Sequence, residues 1–175
     1  GDGIPEVVFG TTEFRRGGSI EVGVLRVVRG DTGADVFTVA EPALQINAAS
    51  SVAVGDIDGD GRPEIIATDA SGQRLIAFEH DGSFKWRSSL LETIHWGAPA
   101  IADLDGDGIP EIVIGRQILN SDGTIRWTGT GGRGAHDGGT GPLSIVADID
   151  LDGVPEVIAG NTAYRPDGTI KWQAP

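Results

Sequence analysis

The feature that most constrains this chain is a nine-residue acidic segment that occurs three times. It reads Asp56-Ile-Asp-Gly-Asp-Gly-Arg-Pro-Glu64, Asp103-Leu-Asp-Gly-Asp-Gly-Ile-Pro-Glu111 and Asp148-Ile-Asp-Leu-Asp-Gly-Val-Pro-Glu156. From Asp56 to Asp103 is 47 residues and from Asp103 to Asp148 is 45. A period of this size, repeated in register, marks a chain of stacked supersecondary units. A truncated fourth copy, Gly1-Asp-Gly-Ile-Pro-Glu6, opens the sequence; from Asp2 to Asp60 is 58 residues, which predicts an insertion in the first unit around residues 11–19.

A second landmark recurs inside each unit: His80-Asp-Gly-Ser-Phe-Lys-Trp86, Ser121-Asp-Gly-Thr-Ile-Arg-Trp127 and Pro166-Asp-Gly-Thr-Ile-Lys-Trp172. Asp-Gly between two apolar runs is a hairpin signal. Asp31-Thr-Gly33 before Val36-Phe-Thr-Val39 reads as its degenerate counterpart. The clearest unit then contains four strands, roughly 52–57, 64–68, 75–79 and 83–87. Four short strands per 40–50 residues is the pattern of a β-propeller blade, with a sandwich or open solenoid as the alternative. Composition agrees: 28 Gly, 9 Pro and 6% aromatic residues suit short strands and tight turns, and helical periodicity is missing.

The acidic segments predict cation binding. Aspartates at loop positions 1, 3 and 5 bring three short carboxylates around one point. Gly at position 6 permits the sharp turn, and the carbonyl at position 7 can face inward. Ca²⁺ takes six to eight oxygens, which such a loop and water can supply. Without a cation the crowded carboxylates repel one another. The loop is not an EF-hand, because position 12 is Ala67, Ile114 or Ala159 and a strand-like run succeeds each loop. Three ions would move the formal charge from −13 to −7, and affinities in the extracellular range of about 10⁻⁴–10⁻³ M are expected.

These features resemble the FG-GAP/VCBS repeats of integrin α-subunit propellers and of bacterial surface and secreted proteins. The resemblance covers nearly the whole chain. It implies an all-β propeller whose blades have four antiparallel strands and hold Ca²⁺ in hairpin loops. By matching positions, the ligands would be Asp56, Asp58, Asp60 and Glu64 with the Arg62 carbonyl; Asp103, Asp105, Asp107 and Glu111 with the Ile109 carbonyl; and Asp148, Asp150, Asp152 and Glu156 with the Val154 carbonyl. The opening copy retains only Asp2, Glu6 and the Ile4 carbonyl, an incomplete fourth set. Glu at position 9 departs from the family's frequent Asp. Leu151 replaces the usual Gly at a position expected to face outward.

Blade boundaries are expected near 1–46 (lacking its first strand), 47–92, 93–137 and 138–175. Three full blades and one incomplete blade make a partial propeller, which predicts completion by another chain or by a missing segment. The absence of Met points the same way, to a processed chain or a piece of a longer one.

Other motifs carry less. Gly129-Thr-Gly-Gly-Arg-Gly134 matches a dinucleotide fingerprint, but the next residues, Ala135-His-Asp-Gly-Gly-Thr-Gly-Pro142, cannot form the required helix. It reads as a mobile loop between blades. Trp86, Trp127 and Trp172 recur at one place in the unit and read as packing between blades. His95-Trp96 and His136-Asp137 fall in the connections, where an exposed His is the default. Cysteine is absent, which removes disulfides and thiolate chemistry. The acidic charge disfavours nucleic acid, and no apolar run approaches a membrane span. No catalytic constellation appears, so the chain is expected to be a non-enzymatic extracellular binding or cell-adhesion module for a protein or glycan. The alternative is the propeller part of a carbohydrate-active enzyme of polysaccharide-lyase type, or a lectin.

Overall fold

The computed structural model describes residues 3–12, 21–135 and 140–175, and these build four antiparallel sheets joined in chain order. The residues of the expected first-unit insertion fall mostly at 13–20, outside the described residues, as do Asp2, His136 and Asp137. The first sheet contains β1 (Glu6–Thr11), β2 (Val22–Arg29), β3 (Asp35–Val39) and the two-residue β4 (Ile46–Asn47), which pairs with the start of β2. The next three are simple meanders. They run β5 (Ala53–Gly55) to β8 (Phe84–Arg87) through β6 (Glu64–Thr68) and β7 (Leu75–Phe78). The same order is repeated by β9 (Ala100–Ala102), β10 (Glu111–Ile114), β11 (Gln117–Leu119) and β12 (Ile125–Thr128). The last sheet comprises β13 (Ile145–Ala147), β14 (Glu156–Ala159), β15 (Thr162–Tyr164) and β16 (Ile170–Gln173). A single 3₁₀ turn, Pro42–Leu44, is the only helical element among the described residues. The all-β reading with four antiparallel strands per sheet is therefore observed. The described strands form no closed barrel.

Strand alternation explains how the sheets stack. Successive side chains on a strand point to opposite faces. On β6 and β7, Ile65, Ala67, Ile76 and Phe78 pack with Leu25, Val27 and Ile46 of the first sheet. Their neighbours Ile66, Leu75 and Ala77 pack instead with Ile112, Ile114 and Leu119 of the third. On β10 and β11 the remaining face, Val113 and Ile118, meets Val157, Ala159 and Tyr164 of the fourth. The middle strands are thus buried on both faces, which is why Glu64-Ile-Ile-Ala-Thr68 and Glu111-Ile-Val-Ile114 read as continuous apolar runs after their first residue.

The first strand of the second unit is shorter than its sequence suggests, ending at Gly55 rather than near Ile57. The Ile57 amide donates to Glu64 Oε2 (2.9 Å), not to a strand partner, so the ladder stops where the acidic loop begins.

Each sheet also reaches over the turn of the next. The Trp86 indole N–H donates to the Ser121 carbonyl and that of Trp127 to the Pro166 carbonyl, both at 2.8 Å. The rings lie on Gly123 and Gly168 of the Asp-Gly turns, where an added Cβ would stand 2.6 Å from Trp86 and 2.9 Å from Trp127. Phe37 covers Gly82 in the same way, so the aromatic of the degenerate first unit takes the place of the tryptophans. Phe37, Trp86 and Trp127 therefore pack between sheets at three junctions, whereas Trp172 of the last sheet is 44% exposed and is not seen in such a contact among the described residues. The Gly-rich segment 129–134 is tied down rather than loose: Arg116 donates to the Gly131 carbonyl, Tyr164 to the Gly132 carbonyl, and the Gly132 amide donates to Thr162. His95 is half-buried, with its ring against Gly72. No helix among the described residues is long and apolar enough to cross a membrane.

Candidate metal centre

Each acidic loop joins the first strand of a unit to the second, and its fold is written locally. The position 1 carboxylate accepts from two loop amides. Asp56 takes Gly59 (2.7 Å) and Gly61 (2.9 Å), and Asp103 takes Gly106 (2.7 Å) and Gly108 (3.0 Å). The position 5 aspartates Asp60, Asp107 and Asp152 each accept from the amide two residues on, at Arg62, Ile109 and Val154. Such short-range side-chain bonds are the reason Asp is favoured in tight turns.

The third loop shows the effect of Leu151. Gly59 and Gly106 adopt φ of +78° and +76°, and Leu151 is held in the same region at +62°. Its side chain is 87% exposed, so it does face outward, and the strain falls on the backbone. Asp148 accepts from Asp152 and Gly153 in this loop, a shift by one residue of its first partner.

The three loops converge on one arrangement of oxygen donors. Ligand atoms of Asp56, Asp58 and Glu64 lie within 4.8 Å of one another, as do those of Asp103, Asp105 and Glu111, and of Asp148, Asp150 and Glu156. Positions 1, 3 and 9 are thereby brought together. The position 5 aspartates stand outside these groups, engaged with the amides at position 7. Glu6 begins β1 as Glu64 begins β6, but it is exposed and belongs to no acidic group among the described residues. Ile4 precedes it without strand structure.

The position 9 glutamates are buried, and in each one Oε2 accepts the amide of position 2: Ile57, Leu104 (both 2.9 Å) and Ile149 (3.1 Å). Burial pushes the carboxyls of Glu64 and Glu111 above the usual range, although these amide bonds and a nearby cation act against it. Glu64 Oε1 is buried without a hydrogen-bond partner.

Sequence reasoning missed the cation that faces each loop. Lys85 Nζ lies 2.7 Å from Asp58 Oδ2, 2.9 Å from Glu79 Oε1 and 3.8 Å from Glu64 Oε1, the last too long for a hydrogen bond. Arg126 bridges Asp105 (2.6 Å) and Glu111, and Lys171 bridges Asp150 and Glu156 (2.5 Å). Hydrogen bonds from these cations hold Asp58, Asp105 and Asp150 below the usual carboxylate range. Burial opposes the charge on Lys85, but its bonds to Asp58 and Glu79 win and raise it. The signal was present in the sequence, since each of these residues stands immediately before a repeating Trp.

All donors gathered in the loops are oxygens, as a hard cation such as Ca²⁺ requires, and Glu64 Oε1 is a buried acceptor without a hydrogen bond, the Lys85 ammonium standing 3.8 Å away. These residues fit a divalent ion.

The FG-GAP-like repeat sequence model matches residues 1–67 and 56–114. The chain belongs to this family. Among solved structures, the FG-GAP-like chain is similar to the biofilm matrix protein Bap1 of V. cholerae, with 27% identity and a TM-score of 0.79 over 100% of this chain and 28% of that one. It is also similar in fold to the exotype rhamnogalacturonan lyase YesX (22% identity, TM-score 0.57, 88% of this chain and 30% of that one). A rhamnogalacturonan lyase of Bacillus licheniformis matches at 20% identity and a TM-score of 0.50, over 88% of this chain and 38% of that one. The chain therefore spans well under half the length of each of these proteins. A search of the curated protein sequences finds no significant match.

Proposed function

We propose that this FG-GAP-like chain is a run of calcium-stabilised propeller blades serving as an extracellular binding or adhesion module, with a protein or glycan as its ligand. The observation that carries the calcium reading is the threefold recurrence of three carboxylates within 4.8 Å, one of them buried at the start of a strand. In this reading Asp56, Asp58 and Glu64 hold the ion of the first complete loop, Asp103, Asp105 and Glu111 that of the second, and Asp148, Asp150 and Glu156 that of the third. Asp60, Asp107 and Asp152, with the carbonyls of Arg62, Ile109 and Val154, complete the shell. When bound, the ion supplies charge neutralisation and cross-links the loop to the strand that comes after it; it performs no chemistry on a substrate.

Propeller geometry is supported by the sheets' succession in chain order and by the position of β5 beside β9 and β9 beside β13, which brings first strands together as at a common axis. The extracellular assignment is supported by the similarity of this chain to 28% of the length of a biofilm matrix protein. Similarity to the lyases is one of fold and brings no substrate with it, so the module is read as non-catalytic.

Calorimetric titration of chelator-treated protein with Ca²⁺ tests the site. Three ions per chain and a melting temperature that falls in EDTA and recovers with Ca²⁺ are expected. No binding heat together with an unchanged melting curve would falsify the calcium reading. Fractionation of the source cells tests the location, which is overturned by recovery of the protein in the cytosol alone.

A further inference from the structure

The three acidic loops share their donor chemistry but differ in the state of the buried glutamate. In each unit the basic residue before the repeating tryptophan reaches the position 3 aspartate: Lys85 to Asp58 (2.7 Å), Arg126 to Asp105 (2.6 Å) and Lys171 to Asp150. The second bond of each cation differs. Arg126 also donates to Glu111 Oε1, and Lys171 to Glu156 Oε1 (2.5 Å). In those two loops both oxygens of the glutamate are taken, since Oε2 accepts the position 2 amide. Lys85 instead donates to Glu79 Oε1 (2.9 Å) and stands 3.8 Å from Glu64 Oε1, which is buried without a hydrogen bond.

Glu79 accounts for the difference. It stands two residues before the Asp-Gly turn of its unit, where the later units have Asn120 and Arg165. Asn120 donates to Thr124 Oγ1 and Arg165 to the Ile170 carbonyl, so neither accepts from the cation of its unit. Formal charge does not separate the loops. Each has four acids, and the additional acid of the first, Glu79, is matched by Arg62, where the others have Ile109 and Val154. The Arg62 guanidinium is engaged with the His80 ring (3.2 Å). The contrast lies in where the facing cation sits.

We infer that Glu79 is a positioning residue that holds Lys85 off Glu64, and thereby makes the loop of Asp56, Asp58 and Glu64 the first of the three to take up Ca²⁺. The inference rests on the calcium reading proposed above. A carboxylate oxygen must be free to ligate an ion, and Glu64 Oε1 already is. Glu111 and Glu156 are buried too, but each must first give up a charge-assisted hydrogen bond. That loss corresponds to about tenfold in affinity.

Calcium titration of the chelator-treated, isotope-labelled full chain, followed by amide NMR, tests the order loop by loop. The amides of Gly61, Gly108 and Gly153 each donate to the position 1 aspartate of their own loop and so report on it separately. Gly61 is expected to reach its midpoint at about tenfold lower Ca²⁺ than Gly108 and Gly153. Glu79→Gln should raise the Gly61 midpoint toward that of Gly108 and leave the other two in place. Arg126→Met, which frees Glu111 Oε1, should lower the Gly108 midpoint about tenfold. Lys85→Met removes the same charge but frees no glutamate oxygen, and should lower the Gly61 midpoint by about threefold at most. Combined with Lys85→Met, Glu79→Gln should lose most of its effect. The dispersed spectrum of each variant shows that it is folded.

Coincident midpoints in the unaltered protein, or a first response at Gly108 or Gly153, overturn the inference while the calcium reading stands. Equal shifts in Arg126→Met and Lys85→Met overturn it as well. An undiminished effect of Glu79→Gln without Lys85 would mean that Glu79 acts by its charge alone, which refutes its positioning role. No response at any of the three amides refutes the calcium reading itself.

Discussion

Lys85 places its ammonium 2.7 Å from Asp58 Oδ2, joining the last strand of its unit to the acidic loop 27 residues earlier. Arg126 and Lys171 repeat the contact with Asp105 and Asp150. A tethered cation thus offsets part of the repulsion in every loop. Replacing Lys85 by Met should lower stability in EDTA by about 1 kcal/mol, a modest figure because Asp58 is partly exposed. In saturating Ca²⁺ the deficit should shrink, since the ion supplies the missing positive charge. Denaturant unfolding under both conditions measures this; an equal deficit in the two buffers would contradict it.

Leu151 occupies a backbone conformation that its counterparts fill with Gly59 and Gly106. The left-handed region costs an L-residue roughly 1–2 kcal/mol, and this side chain is almost wholly exposed, so little packing offsets that cost. Leu151→Gly is expected to stabilise the protein by about 1 kcal/mol, less than the full strain because glycine is more flexible when unfolded. A thermal melt in EDTA reads the effect without interference from the ion. Unchanged or reduced stability would show that the loop tolerates Leu without strain.

Gly123 serves two ends at once: it adopts φ +82° and lies beneath Trp86. Gly123→Ala should cost both the backbone strain and the displacement of the indole, about 2–3 kcal/mol together. Gly33→Ala meets the backbone term alone, because its Cβ has open space, and should cost about 1 kcal/mol in dilute protein. Equal losses at the two sites would refute the packing argument. Trp86→Phe, which removes the N–H donor to Ser121, is expected to cost about 1 kcal/mol more than the same change at exposed Trp96.

Asp81, Asp122 and Asp167 begin the Asp-Gly turns, and hydrogen bonds from Ser83, Thr124 and Thr169 hold their carboxyls below the usual range. A depressed folded value means that the unfolded chain takes up protons first as pH falls. Their contribution is therefore complete above about pH 4 and is lost as pH drops through the folded values. In EDTA, the combined Asp→Asn variant should lose stability less steeply below that pH, because Asn keeps the acceptor and cannot titrate. An unaltered slope of stability against pH would show that these turns do not contribute to acid sensitivity.

Much of this was legible in the sequence because the interactions are short-ranged. Asp60 bonds to the amide of Arg62, and Asp122 to that of Thr124; both lie two residues away, so the motif contains its own partners. The same locality made the Asp-Gly hairpins readable, and alternation marked the strands. β5 ends two residues before its apolar pattern does, because that pattern continues through Ile57 while the Ile57 amide is taken by Glu64. Lys85, Arg126 and Lys171 are not legible as loop partners, because a basic residue on a short strand has no partner visible in its own neighbourhood.

What the sequence determined by itself, then, is the unit: its period, its four strands, and the loop and turn whose hydrogen bonds close within a few residues. What only the tertiary structure decided is which side chains from distant positions meet. Lys85 reaches Asp58 because the meander brings β8 back beside the unit's earlier strands, and Trp86 reaches Ser121 because adjacent sheets stack in register. Those distances depend on the pairing of whole strands and the packing of both sheet faces, a cooperative property that no single repeat contains.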